Sequence, residues 1–244
     1  MTGTNANYSY AGGLVGGMAG GTVEGCFHTT GNVSAPGYYI GGLIGYLSGA
    51  SVSQSYSTGN VTSTTTNTYS NTGGLIGGIE KGGTVTRCYT SCAVTTSKQG
   101  AGGPVGRMTG AGTFTVSNCY SSGSVTGAGC NYIGGFIGLI DNSITALTVT
   151  NGYTDAAISG KNNYSTAPFA GANNKQANTT CTGFIAWSSK PNWCYNVAAA
   201  DRPAGNYMGT EGAIYSQAVT LGGWDFTDVW TTDDTPLLRP YVAQ

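Results

Sequence analysis

The chain has 244 residues, a formal net charge of −1, only 8% charged residues and 42 glycines. So few charges and so much glycine depart far from ordinary globular composition. Yet 16 Tyr, 6 Phe and 4 Trp, with Val and Ile spread throughout, supply the apolar surface that disordered chains lack. Nucleic-acid binding is disfavoured, because phosphate contacts need clustered Lys and Arg, and no apolar run approaches the roughly 18 residues of a membrane span.

The opening Met1-Thr2-Gly3-Thr4-Asn5 is polar and does not read as a secretory leader. For an exported protein this implies a start inside a longer chain with neighbouring domains. From residue 8 onward an internal repeat dominates. Ala11-Gly12-Gly13-Leu14-Val15-Gly16 returns at Ile40–Gly45, Thr72–Gly77, Ala101–Gly106 and Ile133–Gly138, and a decayed copy follows at Ala167–Gly171. The first glycines of the regular copies, at 12, 41, 73, 102 and 134, are 29, 32, 29 and 32 residues apart. Each unit carries two further elements. One is a Val followed by a small residue and an aromatic, as in Val23-Cys26-Phe27, Val52-Ser55-Tyr56, Val85-Cys88-Tyr89, Val116-Cys119-Tyr120 and Val149-Gly152-Tyr153. The other is a short Val-centred strand, as at Val33, Val61, Val94 and Val125.

Each repeat therefore reads as three short strands separated by Gly, Ser, Thr and Asn turns. A propeller blade needs about 40 residues and four strands, more than these units contain. A solenoid coil with three strands per turn fits. The fold expected is all-β, a right-handed parallel β-helix of about 30-residue coils with a C-terminal cap. Equivalent residues then stack about 4.8 Å apart. Leu14, Leu43, Leu75, Pro104 and Phe136 form one ladder, and Val15, Ile44, Ile76, Val105 and Ile137 form its neighbour. Phe27, Tyr56, Tyr89, Tyr120 and Tyr153 form an aromatic ladder. Strand alternation predicts that one of the two adjacent aliphatic ladders faces away from the core. As a core aromatic, Tyr89 predicts a loss of about 3–5 kcal/mol on change to Ala. The whole chain, 1–244, reads as a single repeat domain: five regular coils over 8–160, a degenerate coil with an insertion over 161–221, and a cap over 222–244 rich in Trp, Leu and Pro. Trp193-Cys194-Tyr195-Asn196 reads as an echo of the small-aromatic step.

The Gly-Gly-Leu-Val-Gly unit, with its following Cys-Phe or Cys-Tyr and Gly-Asn-Val, resembles the GLUG repeat. The closing Gly222-Gly223-Trp224-Asp225-Phe226 and Val229-Trp230 are similar to the ends of such arrays. The resemblance implies a β-helical segment of a large secreted or surface-exposed bacterial protein, such as an adhesin or a protein named after immunoglobulin A1 peptidases. It implies no catalytic activity, because the repeats are not the peptidase unit.

Residues that could carry chemistry are sparse. A zinc peptidase would need His-Glu-x-x-His, but the chain has one His, His28, which reads as a solvated turn residue. Seven Cys, at 26, 88, 92, 119, 130, 181 and 194, form no CxxC pair and read mostly as buried thiols. No cofactor or metal site is expected. A glycosidase or lyase would need paired carboxylates. The acids of the repeats, Glu24, Glu80, Asp141 and Asp155, occupy no equivalent positions on adjacent coils. Asp225, Asp228, Asp233 and Asp234 read as turn acids, since no calcium loop is present. Tyr38, Tyr39, Tyr46, Trp187, Trp193 and Tyr207 lie off the ladders and are candidates for stacking on sugar rings, with loop packing the alternative role. The expected function is a non-catalytic adhesion or spacer segment of a bacterial extracellular or cell-surface protein, with a host glycan or extracellular protein as partner. The alternatives are a carbohydrate-active enzyme and a carbohydrate-binding module.

Overall fold

The computed structural model describes residues 9–66, 69–162, 165–194, 197–209 and 214–230. Among them the strands form three sheets of 6, 12 and 10 strands, built almost wholly from parallel pairs. The architecture is a parallel β-solenoid of about five turns, with an irregular further turn at its C-terminal end. Each turn runs through the three sheets in the same order. In the second turn these are Tyr39–Gly41, then Ile44–Ser53, then Tyr56–Ser57 and Val61–Ser63.

Register is kept from turn to turn. Gly12, Gly41, Gly73, Gly102 and Gly134 align in the first sheet. Val15, Ile44, Ile76, Val105 and Ile137 align in the second. Phe27, Tyr56, Tyr89, Tyr120 and Tyr153 align in the third. Each backbone N–H and C=O thus finds its partner one turn away, so the repeat propagates itself.

From the second turn onward both aliphatic ladders lie in the core, which corrects the expectation that one would face outward; Leu14, in the first turn, is 50% exposed. Leu43, Leu75 and Phe136 are as fully buried as Ile44, Ile76 and Ile137. The leucine column sits in the bend between the first and second sheets, so strand alternation does not apply to it. The preceding glycines make that bend possible: a Cβ on Gly41 would run into the carbonyl oxygen of Ile44. The second glycine of each pair has another task. Gly42, Gly103 and Gly135 face Ser57, Ser121 and Thr154, so that a Cβ would meet those side chains.

These hydroxyl residues belong to a buried column, Ser57, Thr90, Ser121 and Thr154. It divides the interior into a large core built on the leucine and isoleucine ladders and a smaller one around Val61, Val94, Val125, Ile40 and Ile133. Ser121 donates to the carbonyl oxygen of Gly135 at 2.6 Å, which satisfies a polar group in the interior. His28 precedes Ser57 in this column. Its ring lies between Gly13 and Gly59, so it packs into the solenoid and is not a solvated turn residue.

The aromatic ladder is stacked but lies on the outer side of its sheet. Ring centroids are 5.2 Å apart for Phe27–Tyr56, 4.6 Å for Tyr56–Tyr89 and 4.8 Å for Tyr89–Tyr120. Phe27 is 58% exposed, whereas Tyr120 and Tyr153 are 5% and 4% exposed. The difference comes from the C-terminal segment. After the helix Ile214–Leu221, the chain lays Trp224, Val229 and Trp230 against Tyr120, Tyr153 and Ile185. The Trp224 indole donates to Gly183 O at 2.9 Å, and Asn151 Nδ2 donates to Gly223 O at 2.7 Å. This strap runs along the flank of the sheet.

The C-terminal end of the core is closed by other residues. Cys194 pairs with Ala170, which places Trp193 on top of Phe169 in the leucine column. Their rings stack at 5.1 Å, and Phe184 meets Trp193 edge-on at 5.4 Å. Trp193 is therefore a core plug, and Cys194 stands in the Ile137–Ala170 column of the second sheet and not at the Cys26 position of the small-aromatic step. Asn206 completes the end by standing in for the missing next turn: its Oδ1 accepts from Phe184 N–H at 2.9 Å and its Nδ2 donates to Cys181 O at 2.7 Å. Tyr195, Asn196, Asp233, Asp234 and the rest of 231–244 lie outside the described residues.

Candidate functional site

Of the six aromatic candidates, three converge. Tyr38 and Tyr39 open the second turn, and Tyr46 follows its bend, seven residues after Tyr39 along the chain. The first and second sheets lie close enough for Tyr46 to meet Tyr39 at a ring separation of 5.8 Å. Tyr10, one turn earlier in the Tyr39 column, joins them. It stacks on Tyr46 at 4.5 Å and 13° and on Tyr39 at 5.8 Å. Tyr38 meets Tyr39 edge-on at 4.7 Å. Tyr10 was not among the candidates, because the sequence places it only one residue ahead of the first repeat.

The other three candidates sit at the opposite end of the solenoid. Trp193 is buried in the plug. Trp187 and Tyr207 are partly exposed and pack edge-on at 5.2 Å on adjacent strands.

The tyrosine hydroxyls point into a polar group drawn from the next turns. Tyr39 donates to Glu80 Oε1 and Tyr46 to Glu80 Oε2, each at 3.1 Å. Arg107 donates to the Tyr38 hydroxyl at 3.3 Å and forms an ion pair with Asp141 at 2.6 Å. Asp141 also accepts from the backbone N–H and the hydroxyl of Ser143, at 3.0 and 2.9 Å.

Register explains the convergence. Gly17, Tyr46, Gly78, Arg107, Leu139 and Ala172 share one column of the second sheet. Ala19, Ser48, Glu80 and Thr109 share another, and Asp141 continues it just after the Met108–Ile140 pair. Glu80 and Asp141 thus occupy one column two turns apart, about 10 Å along the axis. No reading of adjacent coils alone finds this pair.

The electrostatics follow from burial and pairing. Burial raises the Tyr39 phenol far above its ordinary range against the lowering effect of Arg107, and Glu80 raises it further. Tyr46 is likewise raised, by burial first. Burial opposes ionisation of Asp141, yet the Ser143 hydrogen bonds and the Arg107 guanidinium outweigh it and hold the carboxyl below the usual carboxylate range. Arg107 is raised by its bond to Asp141 despite its own desolvation. The arrangement therefore offers fixed carboxylates, a guanidinium and aromatic rings, a set suited to binding polyhydroxylated ligands. A depressed carboxyl is poorly suited to donate a proton as a general acid.

The remaining acids lie apart. Glu24 and Asp155 are exposed in separate turns. Asp225 Oδ1 accepts from the backbone N–H of Thr227 and of Asp228, both at 2.9 Å, which shapes the turn inside the strap. Among the described residues, no three His, Cys, Asp or Glu side chains gather as a metal site.

Comparison with known proteins adds three findings. Residues 36–62 match the family model of the GLUG motif, and this stretch contains Tyr38, Tyr39 and Tyr46. The fold is similar to the crystal structure of a "putative immunoglobulin A1 protease" from Bacteroides ovatus, with a TM-score of 0.65 at 17% identity, covering 95% of this chain and 75% of that one. No curated protein matches the sequence.

Proposed function

We propose that the chain is a non-catalytic repeat segment of a secreted or cell-surface bacterial protein, acting in adhesion or as a rigid spacer. The observation that carries this reading is the register that the three sheets keep from turn to turn, with a bulge in the second sheet between Glu80 and Gly83. Each repeat adds one rung, about 4.8 Å of height, and leaves the cross-section unchanged. Length is then set by copy number, as a spacer requires, while the flanks remain available to carry contacts. The GLUG match over residues 36–62 and the fold of the Bacteroides ovatus protein support a secreted context.

The test is surface proteolysis of intact source cells, combined with deletion of one repeat, residues 73–101. The reading expects the segment to be accessible outside the cell and the shortened chain to stay folded. A purely cytoplasmic protein would sink it.

A second reading is a carbohydrate-active enzyme, favoured by the placement of Glu80 and Asp141 in one column. Release of reducing ends from polysaccharides, abolished by Glu80→Gln or Asp141→Asn, would establish that alternative.

A further inference from the structure

The Tyr10–Tyr46 cluster is not required by the repeat. In the columns that hold Tyr10, Tyr39 and Tyr46, the other turns carry Gly17, Asn71, Gly78, Leu139 and Ala172. The third and fourth turns stack without an aromatic ring at these positions, and the fifth carries Tyr132 one residue before Ile133. Four tyrosines of the first two turns, with Glu80, Arg107 and Asp141 of the next three, are thus an addition to a scaffold that stands without them. Tyr10 is 38% exposed, and Tyr38, Tyr46, Glu80, Arg107 and Asp141 are all partly exposed, so the group opens on the surface.

Its polar capacity is not used up. A carboxylate has about four acceptor positions, and one hydrogen bond is made to each oxygen of Glu80. In the floor, the Asn71 amide is fully buried with both its nitrogen and oxygen unpartnered, as is Nε of Arg107. Asn71 is the next rung after Tyr39 in the same column. Its Oδ1 lies 2.9 Å from where a Cβ of Gly100 would stand, and that position is also 3.6 Å from Leu139, so the amide is directed toward the Arg107–Leu139 column. Buried polar groups without partners are exceptions that call for a water or ligand atom.

We propose that this surface cluster is a binding site for a neutral glycan. Resting on the adhesive half of the function above, this assigns adhesion its ligand class. Because Tyr10 and Tyr46 cover each other's facing sides, a pyranose ring stacks its C–H face on the outer side of Tyr10 and packs against the edge of Tyr46. Its hydroxyls donate to Glu80 and Asp141 and accept from Arg107 and the Tyr38 hydroxyl. Charge decides for a neutral ligand. Two carboxylates against one guanidinium leave the cluster net negative, and Arg107 is already paired with Asp141. An anionic sugar would have to compete for that guanidinium and face Glu80. The network is also preorganised, since the tyrosine hydroxyls fix Glu80 and Asp141 fixes Arg107, which lowers the entropy cost of binding.

The experiment is isothermal titration of the purified full chain with cellohexaose, xylohexaose and mannohexaose, using sialyllactose and polygalacturonate as acidic comparators. At least one neutral oligosaccharide should bind saturably. Tyr10→Ala and Tyr46→Ala should each weaken it tenfold or more, with the circular dichroism spectrum retained. Tyr46→Phe, which keeps the ring, should stay within about threefold of the parent, and Tyr207→Ala at the far end should change nothing. Tighter binding of the acidic glycans, binding that survives the Tyr10/Tyr46 double substitution, or no binding of any neutral oligosaccharide would overturn the proposal. The last outcome would leave the spacer role standing, because surface display is read by a separate assay.

Discussion

Gly78 lies directly beneath the ring of Tyr39: a methyl group added at Gly78 would overlap three atoms of that ring. The two residues belong to different turns and different sheets, and their contact sets the position of the Tyr39 ring within the tyrosine cluster. Tyr39 is 1% exposed as a result. Gly78→Ala should displace the ring and cost about 1–3 kcal/mol, as overpacking does. Chemical denaturation checks the magnitude. An unchanged midpoint would show that the ring and strand separate without loss.

The aromatic ladder should respond unevenly along its length. Tyr153 is covered by the Trp224–Trp230 strap, and Tyr153→Ala should cost about 3–5 kcal/mol. Tyr89 is only half-buried, so Tyr89→Ala should cost about 1–2 kcal/mol, from partial burial and two lost ring pairs. This replaces the larger figure expected when Tyr89 is taken as a core residue. Equal losses at the two positions would contradict the strap's role.

Every turn passes from the second to the third sheet through a left-handed residue. Gly25, Gln54, Arg87, Asn118, Asn151 and Gly183 occupy this corner, with φ of 60°, 49°, 53°, 52°, 51° and 67°. A non-glycine residue pays about 1–2 kcal/mol there, against about 0.5–1 kcal/mol of extra chain entropy for glycine. Arg87→Gly should therefore stabilise by about 0.5 kcal/mol. Asn151→Gly should not, because it removes the Nδ2 bond to Gly223 O that anchors the strap, worth about 1 kcal/mol. Thermal unfolding of the two variants separates these cases.

Alkaline pH should unfold the solenoid from the tyrosine side chains. Burial raises the phenol of Tyr89 to about 12, assisted by Tyr56. Tyr39, Tyr120 and Tyr153 are raised further, in each case chiefly by burial. A phenol whose folded pKa exceeds its unfolded value favours the folded state fully below the unfolded value, and that advantage fades as pH climbs through the folded one. For Tyr89 the window runs from about pH 10 to about pH 12. Phenolate absorbance followed with circular dichroism should show the buried tyrosines ionising together with the loss of structure. Ionisation of these tyrosines with the circular dichroism spectrum retained would rule this out.

The parallel solenoid, its register and the three-strand turn were legible because each follows from a period, and a period is a property of the sequence alone. Gly-Gly-Leu-Val-Gly returning every 29 to 32 residues leaves stacked turns as the economical solution. The facing of side chains was less legible. Leu43 and Ile44 are adjacent and both buried, because the bend built on Gly41 and Gly42 breaks strand alternation between them. Cys194 before Tyr195 imitated the small-aromatic step, and only the pairing of Cys194 with Ala170 and the stacking of Trp193 on Phe169 show that the segment ends the leucine column.

The tyrosine cluster was half written in the chain. Tyr38, Tyr39 and Tyr46 stand out because they break the repeat, and that departure was the available signal. Tyr10 stands one repeat before Tyr39 in the same column, whereas Glu80, Arg107 and Asp141 come from three further turns and could not be joined to the tyrosines by spacing. What the sequence alone determined is the repeat, and with it the backbone hydrogen-bond ladder that any in-register stack must form. What the tertiary structure decided is which side of each sheet a column faces and which columns of adjoining sheets meet. That choice rests on bend geometry and on the room left by glycines such as Gly78, whose effects lie across the fold and not along the chain.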